Sequence, residues 1–271
     1  WKKGIFQEQG IELLPVTMSV RASLGALASR HISYITPLGS SMTAIANGLA
    51  AKVIMIFAVR SHHVLVAKRD IATPSALRGR GVAISQPGGT VHRQFLKILE
   101  HYRVDAKSIN MINLGEMPSR ALALKAGTID AAMLSVPYDL FMEKDGFRPL
   151  AYMKDVAEFP LLGLIAHDER MRERPDEVKR VLTAALKGIA YTKSHREEVL
   201  PLLKQFVGLP DLDMTRKTFD VIKDLWPDNG IPSDKGLATA LTMADVPANI
   251  PAERIVDWSF VSSAALSLKI R

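Results

Sequence analysis

The sequence has no cysteine among its 271 residues, which excludes disulfides and thiolate metal ligands. Aromatic residues make up only 6%, and no basic run alternates with them, so the stacking groove of a single-strand nucleic-acid binder is missing. Long apolar runs are scarce too. Val53–Val59 is among the longest and falls well short of the roughly 20 residues that span a bilayer. Enzyme signatures are absent as well: there is no G-x-S-x-G elbow, Walker A loop, H-E-x-x-H pair or complete G-x-G-x-x-G. Gly79-Arg80-Gly81 lacks the third glycine and precedes a strand rather than following one.

What is present is a chain that is 48% hydrophobic, long enough for one large domain or two modest lobes. Its net charge of +7 is spread out and interleaved with acids, as in ERMRERPDEVKR, which reads as a solvated helix face. A general preference for anions follows, and no nucleic-acid partner is expected. The sequence opens at Trp1 without methionine or a signal-peptide pattern, which reads as a processed or trimmed form.

Apolar periodicity places strands at 11–16, 32–35, 53–59, 64–68, 81–85, 109–114, 131–134 and 161–166. Helices are expected at 21–29, 40–49, 90–102, 119–126 and 138–144, with 1–9 as a helix end stopped by Gly10. From Asp168 onward the pattern is almost wholly helical, broken at Pro175, Gly208-Leu209-Pro210, Pro227–Pro232 and Pro247–Pro251. Strands alternating with helices predict an α/β protein with mainly parallel sheets and a helical C-terminal tail. ALASRHISYITP (26–37) and ALKAGTIDAAMLSVP (123–137) share a build: a helix end, a tight turn, an apolar strand and a proline exit. The echo predicts two similarly built lobes, with a ligand cleft where their strand ends face each other.

Candidate ligand groups lie at strand exits. Thr36, Ser40 and Ser41 surround a helix start, where hydroxyls and free amides bind an oxyanion, although plain N-capping also explains at least one serine. In SQPGGT, Gln86, Gly88, Gly89 and Thr90 form a matching seat between a strand and a helix; Thr90 is a candidate cap, and the two glycines are expected to expose their amides. Arg60 offers a bidentate clamp or a solvated strand end. His92, on the first turn after the glycines, is compatible with either ligand or solvent. Glu116, at another strand exit, would bind an amino group or repel an anion. His62 and His63 are neighbours on an expected strand, so their rings should point to opposite faces, and no metal is assigned to them. His62 remains a ligand candidate, and no cofactor is implied.

In order, KKGIFQEQGIEL, ALASRHISYITP, IATPSALRGRGVAISQPGG and ALKAGTIDAAMLSVPYD resemble the successive signatures of the taurine/sulfonate/nitrate-type substrate-binding proteins of ABC transporters. The likeness covers about residues 2 to 190. It implies a two-lobed periplasmic-binding-protein type II fold, a venus flytrap with lobe 1 at 1–68 plus 162–271 and lobe 2 at 69–161. It also implies a strand and cleft-lining loop ahead of Lys2–Phe6, and places Ser135, Pro137 and Tyr138 near the cleft. Tyr138 packed into the core is the other placement. The function implied is a monomeric, exported, periplasmic receptor that delivers a small organic anion to a membrane permease and performs no catalysis. The competing expectation is a biosynthetic enzyme of the same fold acting on a pyrimidine precursor or small metabolite. A LysR-type effector-binding module shares the fold, but the helix-turn-helix that normally accompanies it is absent.

Overall fold

The structure is a computed structural model, and residues 2–270 are described; Trp1, part of the expected first helix, lies outside them. The chain forms two compact units, one of Trp1–Val59, Phe159–Gly208 and Lys223–Arg271, the other of Arg60–Glu158 and Leu209–Ile222. The sequence boundary at 68 therefore moves to 59. The reason is strand pairing: β3 (His63–Ala67) lies between β6 (Ala131–Ser135) and β7 (Arg148–Tyr152), inside the second unit's sheet. The segment Leu209–Ile222 also joins the second unit, because Leu209 and Met214 pack on Leu140. Nothing local in the helical tail announces that contact.

The first unit is built on a three-stranded sheet, β1 (Tyr34–Pro37), β8 (Leu162–His167) and β2 (Ala51–Ala58), with β8 in the middle. Both pairings are antiparallel, which corrects the expectation of a parallel sheet here. Chain connectivity supplies the cause: β2 leads out to the second unit and β8 leads back from it, so neighbours run in opposite directions. Helices cover both faces, which makes β2 an almost continuous apolar run. α1 (Val20–Ala28) and α2 (Leu38–Ala46) bring Leu27, Leu38, Met42 and Ile45 against Val53 and Ile56. α8 (Pro175–Ser194) and α13 (Ser259–Ser267) bring Val178, Leu182 and Val261 against Ile54 and Met55. Gly230 accepts the amide of Ile56 through its carbonyl, and a Cβ there would stand 2.9 Å from both Met55 and Val261 at a φ of +75°. Only glycine fits that approach.

The expected strand at 11–16 does not form. Residues 11–19 carry no regular secondary structure, and Leu14 and Val16 are 73% and 65% exposed. An alternating sequence becomes a strand only when a neighbour takes its N–H and C=O groups, and no described strand does so here.

The second unit has a five-stranded sheet in the order β5-β4-β6-β3-β7. β4 (Gly81–Ile84) is parallel to β5 (Asn110–Asn113) on one side and to β6 on the other. β3 runs antiparallel to both β6 and β7, so this sheet is mixed rather than mainly parallel. α3 (Thr90–His101) buries Phe95, Ile98 and Leu99. α4 (Met117–Lys125) and α5 (Tyr138–Lys144) send Ala121, Leu124 and Met142 against Val64, Ala83 and Leu134. At the amino ends of the parallel strands, Asp130 accepts the amide of Gly81 at 3.1 Å and pairs with Lys68 at 3.0 Å. Their carboxyl ends open instead into loops 85–89, 114–116 and 136–137, each feeding a helix. Crevices outside the carboxyl ends of parallel strands are where open α/β sheets take ligands.

The remaining helices are α6 (Met153–Val156) in the second unit, α7 (Asp168–Glu173) and α9 (Arg196–Val207) in the first, α10 (Leu212–Ile222) in the second, and α11 (Asp234–Met243) and α12 (Ala252–Ile255) in the first.

Candidate functional site

The SQPGGT loop closes on itself. Gly88 takes the left-handed φ of +76°, its amide donates to Nδ1 of His92 at 2.9 Å, and the Gly89 amide donates to the Gln86 carbonyl at 3.1 Å. Both glycine amides expected to hold an anion are therefore spent inside the turn. His92 latches the loop through an acceptor nitrogen, which leaves its proton on Nε2. Gly89 is in the N-cap position with an extended φ of −73°, so Thr90 is the first helical residue and not the cap. The donors that remain are the amides of Thr90, Val91 and His92, which have no backbone acceptor among the described residues. Gln86 and Thr90 are exposed beside them.

Around the same sheet end the other candidates divide. Glu116 is exposed at the N-cap position of α4 and makes no side-chain cap bond. Behind it Arg120, 3% exposed, donates to the carbonyls of Gly115 and Met133 and so ties loop 114–116 to β6. Burial pulls its guanidinium below the ordinary arginine value, opposed by the Glu116 charge. Ser135 is buried with its hydroxyl donating to the Met117 sulfur at 3.1 Å, so it does not face solvent. Pro137 precedes α5 after a cis peptide bond. Tyr138 packs against the Ala83–Leu134 core and meets Phe141 edge-on, 6.2 Å between ring centres, which is the core placement. Next to it Asp139 is fully buried with neither carboxylate oxygen in a well-aligned hydrogen bond, and burial pushes its carboxyl up to about 6 against the opposing pull of the nearby Leu140 and Asp139 amides.

At the start of β3 lies a cluster that the sequence reading missed. Ser61 and Gln94 are fully buried, and the Ser61 hydroxyl donates to Oε1 of Gln94 at 2.7 Å. Nδ1 of His63 lies 3.0 Å from that hydroxyl, and the His63 amide donates to it at 3.1 Å. Burial drives the His63 imidazole down to about 3, helped by the charges of His62 and Arg120, so it is neutral at physiological pH. His62 precedes the strand, so the alternation rule does not reach it: the two rings stack, 4.8 Å apart and inclined by 21°. Burial lowers the His62 imidazole as well. The one available signal was Gln94 itself, a polar residue on the buried face of α3 beside Phe95 and Ile98. Arg60 is exposed at the first residue of this unit.

In the first unit, β1 exits into α2 with Pro37 in the N-cap position and no side-chain cap bond. The amides of Gly39 and Ser40 have no backbone acceptor among the described residues, and Thr36 and Ser40 are exposed beside them. Ser41 is buried and donates back to the Pro37 carbonyl at 2.6 Å, so neither serine acts as the cap. At the other end of this sheet, a cavity of about 200 Å³ is lined by Arg30, Ser33, His167, Arg170 and Arg174 among others. Its cations are paired: Arg30 with Glu169 at 2.5 Å, and Arg170 and Arg174 with Glu177 at 2.7 and 3.7 Å.

The sequence pattern described as NMT1/THI5 like matches residues 2–199. A Brachyspira hyodysenteriae protein named as an ABC transporter periplasmic binding protein is 30% identical over 118 residues, which is 43% of this chain and 32% of that protein. The chain spans about a third of the length of that curated relative. Among solved structures, the periplasmic aliphatic sulphonate binding protein SsuA of Escherichia coli superposes with a TM-score of 0.73 at 20% identity, covering 89% of this chain and 85% of that one. The desulfurization enzyme DSZB superposes with a TM-score of 0.74 at 14% identity, covering 98% and 94%. The fold is that of the type II periplasmic binding proteins. No helix among the described residues is long and apolar enough to cross a membrane.

Proposed function

Because the chain belongs to the NMT1/THI5-like family, we propose that it is the extracytoplasmic solute-binding component of an ABC importer, taking a small organic anion. One observation carries this reading. Each unit has a strand that exits into a helix start with free amides and an exposed hydroxyl: Gly39 and Ser40 on α2, and Thr90 and Val91 on α3. An oxyanion at either start gains hydrogen bonds and the favourable end of the helix dipole. A membrane permease then recognises the liganded form, so that ligand binding and the recognised state are linked. The periplasm is the compartment this role assigns.

An enzyme of the same fold is the second reading, since DSZB shares the architecture. The groups at the second unit's sheet end favour binding instead. His63 is held neutral, and Ser61 is fully buried with its proton committed to Gln94. Neither is poised to shuttle protons at neutral pH. A thermal-shift screen over sulfonates, carboxylates and nitrate tests the proposal, since a ligand that binds only the folded state raises the midpoint. A saturable rise with one class, and the ligand recovered unchanged, is expected. No rise with any anion, or a chemically altered ligand, contradicts it.

A further inference from the structure

The Ser61 hydroxyl has one hydrogen and three polar neighbours: Oε1 of Gln94, Nδ1 of His63 and the His63 amide. The 2.7 Å contact with Gln94 is made to its carbonyl oxygen, which carries no hydrogen, and it leaves the buried Gln94 amide nitrogen without a partner. It therefore consumes the hydroxyl hydrogen, because two bare oxygens at that distance would repel. The 3.0 Å contact with Nδ1 must then be an N–H donated by the imidazole into the serine oxygen. We infer that Ser61 and Gln94 are positioning residues that hold His63 as the Nδ1–H tautomer, so that its Nε2 lone pair stands as a hydrogen-bond acceptor at the carboxyl end of β6.

Several observations support this. His63 pairs in register with Ser135, the last residue of β6, which puts the ring at the sheet end where α3, α4 and α5 begin. Besides Ser61 the ring is reached by the Gln94 side chain, no hydrogen bond is seen at its Nε2, and the residue keeps 8% of its surface open. Burial keeps the ring neutral, so the lone pair is not lost to protonation near pH 7. The acceptor's existence does not depend on the proposed function; its use does. If the solute's oxyanion takes the α3 amides, a hydroxyl or N–H elsewhere on the same solute would answer His63. The substrate class then narrows to organic anions that also carry a hydrogen-bond donor.

The test uses the intact chain with nitrogen-15 labelled histidine, whose ring shifts and couplings report which nitrogen carries the proton. At pH 7 the parent is expected to show His63 as Nδ1–H. Gln94→Met, close in shape, removes the acceptor, frees the serine hydrogen to turn toward Nδ1, and should convert His63 to Nε2–H. A role that is only structural would not move the tautomer. In parallel, 2-hydroxyethanesulfonate should bind on the order of tenfold more tightly than ethanesulfonate in the parent. An Nε2–H or cationic His63 in the parent overturns the inference whatever binds, and equal affinities in the parent overturn the solute contact. Failure of both sulfonates to bind, with the Nδ1–H tautomer present, counts against the proposed function while supporting the tautomer assignment.

Discussion

Residues 26–41 and 123–139 are two versions of one local design, and they part company where each meets the rest of its unit. Both close a helix with a left-handed residue, Arg30 at φ 63° and Gly127 at φ 76°. In both, two amides return to the last helical turn: Arg30 to Leu27 and His31 to Ala26, Gly127 to Leu124 and Thr128 to Ala123. Both then run through an apolar strand to a proline and a new helix. Yet β1 is an edge strand antiparallel to β8, whereas β6 is interior, with β4 parallel on one side and β3 antiparallel on the other. The buried polar group after each proline differs too. Ser41 is satisfied by the Pro37 carbonyl, while Asp139 is sealed in with neither oxygen in a well-aligned hydrogen bond. Local sequence decides the turn; distant partners decide strand direction and whether a buried polar group is paired.

The largest expected effect comes from breaking that second contrast. The Asp139 carboxyl is raised in the folded state from 3.8 to about 6, chiefly by burial. The folded protein holds that proton more tightly than the unfolded chain, so stability is full at low pH and falls as pH rises from about 4 through about 6. That gap corresponds to about 3 kcal/mol above pH 7. Asp139→Asn should therefore be more stable than the parent by about that amount in urea melts at pH 8, and nearly equal to it at pH 4. Identical pH dependence in parent and variant would show that the carboxylate has a partner after all.

A smaller effect is expected at the two helix ends. Gly127→Ala forces a β-carbon into a left-handed backbone, and nothing lies within 4 Å of the added atom, so the cost is backbone strain alone. A loss of roughly 1–2 kcal/mol should appear as a lower urea midpoint. Arg30 already occupies the equivalent conformation and pairs with Glu169, so Arg30→Gly should leave the midpoint nearly unchanged. A large change at position 30 together with none at 127 would reverse the comparison.

Much of this architecture was legible in the sequence because it is locally encoded. The strands at Gly81–Ile84 and Ala131–Ser135, the helix from Thr90 and the proline exits follow from apolar period, glycine and proline. Strand direction was not legible, since β8 pairs with β1 and β2 from more than a hundred residues away. The site was half legible. Helix register alone separates Ser40 from Ser41, since Ser41 shares the face of Leu38 and Ile45. The glycine pair is legible as a turn, but the groups that answer its amides, His92 and Gln86, read in the sequence as ligand groups themselves. The Ser61–Gln94 bond joins residues 33 positions apart, and no periodicity marks it.

The central claim is that the chain binds a small anion at a helix start that presents free amides. It is tested most directly by a backbone-amide NMR titration with the sulfonate or carboxylate that scores highest in the thermal screen. The account predicts a saturable shift of the amides at a helix start, those of Thr90 and Val91 on α3 or those of Gly39 and Ser40 on α2. No saturable shift at either helix start, or shifts confined to residues away from both, would contradict it.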